Sequence, residues 1–366
     1  MSDYTLINGD CLDALRTLDD NSIDAVITDP PYGLSNTTPA QVADTIARWA
    51  QGDTEHVPQG KGYLGAAWDG FVPPPAVWSE CLRVLKPGGH LIVFAGTRTQ
   101  DLMGISVRLA GFDVRDNMAW IYGSGFPKGQ SLDKAIDKRL GAQREVVGTY
   151  MGASNIGKKA DGKWGYGTTG DSNKGADRTV EITVPATPEA AQWEGWHTQL
   201  KPAHEPIIVA RKPFGGALVD NVMTHGTGAI NIDGERVDPR GSDTTPARYP
   251  ANVILDEQAA DALDDASDEQ GASRFFHVFK YAKKAARRER PEVTRDDGTK
   301  VVHATVKPLE LMSHLVGLVA PPGSVVLDPF AGSGTTLEAA RNNGSRSIGI
   351  EQSADYCDLI RERMDN

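Results

Sequence analysis

Cysteine is scarce: three residues, Cys11, Cys81 and Cys357, are spread over 366 positions. An odd count at that spacing excludes a disulfide framework and argues against thiolate metal ligation. Each cysteine lies in an apolar, helix-like pattern that reads as a buried free thiol, and no metal is expected. Long apolar runs are missing too. No stretch nears the roughly 20 residues that a membrane-spanning helix needs, and the first residues lack the basic-then-apolar order of a signal peptide. The expectation is a cytoplasmic protein without membrane association. No internal repeat is present. Basic charge is in deficit, with 38 Lys and Arg against 49 Asp and Glu and a formal net charge of -11, which taken over the whole chain opposes a polyanionic partner. What remains is a chain of 39% hydrophobic residues, enough for one large core and a smaller lobe.

The charge is unevenly placed. Residues 1–119 hold 8 basic and 15 acidic side chains, whereas residues 272–300 hold 9 basic and 4 acidic. In the second stretch Lys280, Lys283, Lys284, Arg287 and Arg288 are interleaved or flanked with Phe275, Phe276, Phe279 and Tyr281. Cations next to aromatics suit phosphates and bases, so these five residues are candidate DNA contacts; a solvated helix with its aromatics in the core is the alternative.

Two segments near opposite ends carry chemistry. The apolar run Ile23, Ala25, Val26, Ile27 ends in Asp29-Pro30-Pro31-Tyr32. The prolines fix the backbone and remove two N–H donors, which leaves the Asp29 carboxylate and main-chain carbonyls as acceptors. An exocyclic NH2 on a flat base offers two donors, and Tyr32 offers a ring to stack on. Acceptors at both hydrogens favour a tetrahedral nitrogen with its lone pair aimed at a methyl donor. Near the other end, the strand Ser324 to Leu327 leads through Asp328-Pro329-Phe330-Ala331-Gly332-Ser333-Gly334-Thr335 into a helix. The glycines permit close backbone approach and the helix N-terminus offers free N–H groups. A second strand, Ser347 to Ile350, ends in Glu351, suited to ribose hydroxyls. Asp328 places a carboxylate where a pyrophosphate would sit, which favours the ammonium of S-adenosylmethionine over a dinucleotide.

On these motifs the chain resembles the amino-methylating DNA methyltransferases, in the group where the catalytic motif precedes the cofactor motif. The resemblance covers about residues 1–122 and 301–366. It implies catalysis by Asp29, Pro30, Pro31 and Tyr32, with S-adenosylmethionine held by Phe330, Gly332 and Gly334 and by the adjoining Asp328, Ser333 and Thr335, with Glu351. It also implies an acidic residue near the cofactor adenine. Asp10, next to Cys11, matches, and an N-cap for the helix Leu12 to Leu18 is an equal and compatible reading. His303-Ala304-Thr305-Val306-Lys307-Pro308 resembles a family segment beside the methionine moiety, with Ala304 in place of a proline, and so adds Lys307 to the cofactor set. Leu200 to Pro206 resembles a segment near the active site of related enzymes.

The implied reaction is direct methyl transfer to an amine of a base rotated out of duplex DNA. No Pro-Cys nucleophile lies near a motif, which opposes carbon methylation of cytosine. In the family that the chain resembles, Asp at the first motif position goes more often with adenine and Ser with cytosine, so Asp29 implies N6 of adenine, with N4 of cytosine as the alternative. A protein glutamine methyltransferase is opposed by Asp29 and by the motif order, and an inactive DNA-binding homologue by two intact motifs. DNA is the expected partner, with a cognate restriction enzyme and a homodimer as further expectations.

The expected fold is α/β: a doubly wound, Rossmann-like sheet in circularly permuted motif order with an inserted DNA-recognition region. The expected division is a catalytic half (1–122), an insertion (123–203), an edge strand (204–213) paired with Val114 to Tyr122, a target-recognition region (214–300) and a cofactor half (301–366). The run Asp256 to Glu269 reads as a solvent-facing acidic helix.

Overall fold

Nine segments of the computed structural model join one sheet. They are Tyr4–Asn8 (β1), Ile23–Thr28 (β2), Leu85–Phe94 (β3), Asp113–Ile121 (β4), His204–Arg211 (β5), Val253–Asp256 (β6), His277–Phe279 (β7), Val325–Asp328 (β8) and Arg346–Glu351 (β9). The structure describes residues 3–60, 62, 67–123, 129–152, 156–158, 164–166, 178–237, 247–267, 271–279, 291–295, 297–303 and 305–365. The sheet order is β1-β9-β8-β2-β3-β5-β4-β6-β7. Every neighbouring pair is parallel except the two made by β5, which runs against both β3 and β4.

Burial explains this arrangement. All six residues of β2 are buried, as expected of a central strand covered by helices on both faces. In β3 the side chains alternate: Leu91 and Val93 enter one core with Trp78, Cys81 and Met103, while Ile92 and Phe94 enter a second with Trp120, Leu311 and Leu315. The sheet is thus the middle of three layers. Pro75–Val84 starts with proline at its first position, and Pro39–Ala50 carries a capping box between Thr38 and Gln41, so both helices have their starts written locally. Among the described residues, no helix is long and apolar enough to cross a membrane.

Two expectations change. The strand around Pro206 to Ala210 pairs with β4 as foreseen, but it is not an edge. It also pairs with β3, from His90↔Arg211 to Phe94↔Ile207, because Ile207 to Ala210 are buried on both faces. The region after it supplies β6 and β7, which extend the same sheet beyond β4. The acidic run does form a helix, Glu257–Asp265, capped by the Asp256 carboxylate on the Ala259 amide.

Ser124–Ala203 is a compact unit separate from the rest of the chain. It holds the helix Leu132–Leu140 and an antiparallel pair, Val146–Gly152 with Arg178–Thr183. Arg144 ties them together: its guanidinium lies 2.8 Å from Asp133, 2.6 Å from Asp137 and 2.9 Å from the Thr183 hydroxyl. Asp137 also accepts from the Thr187 hydroxyl and the Ala186 amide. Removing the cation leaves two buried carboxylates uncompensated. Arg144→Met is expected to speed tryptic cleavage within 124–203 by roughly tenfold or more while the remaining unit keeps its melting transition; equal cleavage rates would contradict this.

Candidate active site

β2 and β8 lie side by side and parallel, with Val326↔Ala25 and Leu327↔Val26 in register, so the two chemical motifs leave the same edge of the sheet. The chain turns one way from β2 into β3 and the other way from β8 into β9, which makes this the switch point where α/β sheets bind ligands. The Thr28 hydroxyl donates to Asp328 Oδ1 at 2.6 Å, and the Phe330 amide to the same oxygen at 3.0 Å. Asp328 therefore fastens the glycine loop to β2. It is only 3% exposed.

Beyond β2, the Tyr32 hydroxyl lies 2.8 Å from Asp29 Oδ1 and 2.9 Å from Glu205 Oε2, which comes from β5. Lys307 Nζ donates to Asp29 Oδ2 at 2.5 Å and to the Tyr32 oxygen at 3.1 Å, and stands 3.3 Å from Glu205. It also faces the Phe94 ring, 4.8 Å from the centroid. Burial, and then the Asp29 and Glu205 carboxylates, push the Tyr32 phenol well above its ordinary range, so it stays a phenol. Burial alone would lower Lys307, but the same two carboxylates outweigh it and hold its pKa above the usual lysine value. Two anions and one cation leave the cluster with one net negative charge.

The glycine loop is shaped for close approach. Gly332 and Gly334 have φ of +52° and +79°, the left-handed region that favours glycine. A Cβ at Gly332 would stand 3.1 Å from His303 Nε2. His303 packs edge-on against Tyr356, with ring centroids 4.5 Å apart. Glu351, at the end of β9, accepts the Gly332 amide at 2.9 Å and the Ser353 amide at 2.8 Å, and burial raises its carboxyl. Ser333 and Thr335 are buried, their hydroxyls 3.2 Å apart, at the start of the helix Thr335–Asn342. Phe330 packs against Trp78, with centroids 6.3 Å apart. The first strand joins here through the register Asn8↔Glu351. Asp10 caps Cys11–Leu15 by accepting from Leu12 and Asp13, and burial and the Asp10 charge push the Cys11 thiol up to about 12.

Asp29, Tyr32 and Lys307 of the expected site residues thus form one cluster with Glu205, and Asp328, Phe330, Gly332 to Thr335 and Glu351 belong to the adjoining loop and strand ends. Lys307, expected beside a cofactor, reaches the Asp29 carboxylate. Glu205 and Phe94 contact the Lys307 cluster, and Thr28 and His303 contact the glycine loop region; Glu205 and His303 sit in the two shorter segments whose resemblance pointed to the active site. Lys280, Lys283, Lys284, Arg287 and Arg288 lie outside the described residues.

Burial raises the Asp328 carboxyl from 3.8 to about 6, against hydrogen bonds from Thr28, Thr336 and the Phe330 amide. A raised folded-state value means that its stabilising contribution is full below pH 3.8 and is lost as pH rises through about 6. Stability relative to Asp328→Asn is expected to fall by about 2–3 kcal/mol between pH 4 and pH 7. Urea unfolding of both proteins at the two pH values checks this, and a pH-independent difference would contradict it.

A family model described as DNA methylase, that of the N6 and N4 methyltransferases, matches residues 23–362. The chain is 25% identical over 386 residues to the Type II methyltransferase M.HindIII of Haemophilus influenzae, across 98% of this chain and 94% of that one. Type II methyltransferase M.HinfI of Haemophilus influenzae is 38% identical over 73 residues, 20% of each chain. A solved structure, the PvuII DNA methyltransferase (cytosine-N4-specific), matches with a TM-score of 0.50 and 13% identity, over 99% of this chain and 88% of that one, a likeness of fold. With the motif order and the pocket described above, the match over nearly the whole chain makes this protein a member of the DNA methylase family, the S-adenosylmethionine-dependent N6-adenine and N4-cytosine methyltransferases.

Proposed function

We propose that the chain methylates N6 of adenine at a specific DNA sequence, with Asp29 and Tyr32 as the residues that hold the amine. The observation that carries the site assignment is the Lys307 ammonium 2.5 Å from Asp29 Oδ2: the carboxylate at the end of β2 already accepts N–H from a nitrogen. A base turned out of the duplex would offer its amine to that carboxylate and to the Pro30 carbonyl, with the Tyr32 ring as a stacking surface. Charge then develops on the nitrogen beside a fixed anion, which stabilises it. Asp29 is also placed to take the proton that the methylated amine sheds.

The cofactor reading rests on a fit. Gly332 and Gly334 hold the loop in left-handed turns where a Cβ would crowd His303 and Ile360, the Glu351 carboxyl ends the next strand, and the Asp29 cluster carries the net negative charge that a sulfonium needs. S-adenosylmethionine, when bound, supplies a methyl group already activated on sulfur. Asp10, Cys11, Asp328, Phe330, Ser333 and Thr335 complete the proposed cofactor set, and Lys307 belongs to it only as the neighbour of Asp29.

N4 methylation of cytosine is the second reading, kept because PvuII methyltransferase, which shares the fold, is cytosine-N4-specific. The net basic stretch at 272–300 supports Lys280, Lys283, Lys284, Arg287 and Arg288 as phosphate contacts, within a target-recognition region at 214–300. Cytoplasmic residence, a cognate restriction enzyme and a homodimer accord with this function.

Asp29→Ala is expected to abolish transfer, by a factor of at least about 1000, with calorimetric affinity for S-adenosylmethionine retained. Gly332→Val is expected to weaken that affinity by roughly tenfold or more. Normal transfer by both variants would refute the site. Mass spectrometry of nucleosides from methylated DNA should find N6-methyladenine, and N4-methylcytosine alone would assign the other base.

A further inference from the structure

Both oxygens of the Asp29 carboxylate are occupied before any base arrives, Oδ1 by the Tyr32 hydroxyl and Oδ2 by Lys307 Nζ. Each oxygen could accept a second donor, but the amine of a base stacked on Tyr32 would enter the space that the Lys307 ammonium holds, over that ring and against Oδ2. Tyr32 and Lys307 share a second acceptor, Glu205 Oε2, at 2.9 and 3.3 Å. The Lys307 side chain is only 12% exposed, with its ammonium 4.8 Å from the centre of the Phe94 ring and 5.4 Å from that of Tyr32. An ammonium in such surroundings needs an anion rather than open water.

We propose that Glu205 is a positioning residue, the carboxylate that draws Lys307 away from Asp29 as the target amine enters. The displacement is small, because the same nitrogen already stands between the two carboxylates. Lys307 is then a placeholder: its N–H groups satisfy Asp29 while the pocket awaits a base, and they move to Glu205 when the amine takes over. A neutral side chain at 205 could not hold the cation, so Lys307 would stay on Asp29 and compete with the substrate. The position of Glu205 on the antiparallel strand β5, across the pocket from the loop that carries Lys307, lets one carboxylate act without disturbing either motif. The inference rests on the proposed role of Asp29 as the acceptor of the amine.

The test compares the full-length wild type with Glu205→Gln, Lys307→Met, the double variant, Glu205→Asp and Asp29→Ala. It uses labelled S-adenosylmethionine and DNA carrying the modified site, with kcat and KM read separately and cofactor affinity measured by calorimetry. Glu205→Gln is expected to lower kcat by about tenfold or more with unchanged cofactor affinity, and Glu205→Asp to keep more activity than Glu205→Gln. The decisive outcome is the sign of the coupling: the double variant should exceed Glu205→Gln in kcat by at least about threefold, because removing the ammonium frees Asp29. A double variant no faster than Glu205→Gln would overturn the proposal, as would an unimpaired Glu205→Gln. Should Glu205→Gln fail to fold, the comparison of Glu205→Ala alone with Glu205→Ala combined with Lys307→Met decides in the same way. An active Asp29→Ala would instead overturn the underlying reading of the site, whereas an inactive one with additive Glu205 and Lys307 losses would overturn this inference alone.

Discussion

The parallel pairing of Ile23–Thr28 with Val325–Asp328 is the constraint on which the site depends. It places the exits of two strands, 300 residues apart in sequence, next to each other, and the Thr28 hydroxyl bonds directly to Asp328 at the junction. The acceptor motif and the glycine loop must then face the same space. Such separation costs the fold little, since loop-closure entropy grows only with the logarithm of loop length. It also permits insertions: Ser124–Ala203 forms its own compact unit on the connection between β4 and β5, while the central pairing is unchanged.

Charge in the pocket follows from burial. Asp29 and Glu205 are kept as partners of Lys307, and the cluster retains one negative charge among half-buried side chains. Tyr32 is held in its neutral form, so it can stack and donate without adding another anion. Asp328 plays a different part. Its carboxyl, raised by burial to about 6, is a structural junction whose hydrogen bonds face the backbone of the glycine loop and the end of β2. Two aspartates at adjacent strand ends thus have different partners, Asp29 the Tyr32 hydroxyl and Lys307, Asp328 the Thr28 hydroxyl and the Phe330 amide.

The central strands were legible because short buried runs end in proline or glycine turns, and both motifs sit where those runs stop. The start of the helix Pro39–Ala50 is set just as locally, by its capping box, but that helix was not among the expected elements. The interior position of β5 was not legible, since a buried apolar strand has the same composition whether it gains one partner or two. β6 and β7, of four and three residues, are too short for any periodicity to show. Lys307 illustrates a further limit: a motif fixes where the backbone runs, but a lysine reaches several ångströms, and which carboxylate it meets is decided by the fold. Glu205 became a site residue for the same reason, as it lies 173 positions from the Tyr32 hydroxyl it contacts.

The most direct test of a single transfer site built from both ends of the chain is a crystal structure with S-adenosylhomocysteine and DNA carrying the target sequence. The account predicts an extrahelical base on the Tyr32 ring, its amine bonded to Asp29 and the Pro30 carbonyl, and the thioether of the ligand facing that nitrogen from the Gly332 loop. A base still stacked in the duplex with Lys307 retained on Asp29, or a ligand seated away from that loop, would contradict it.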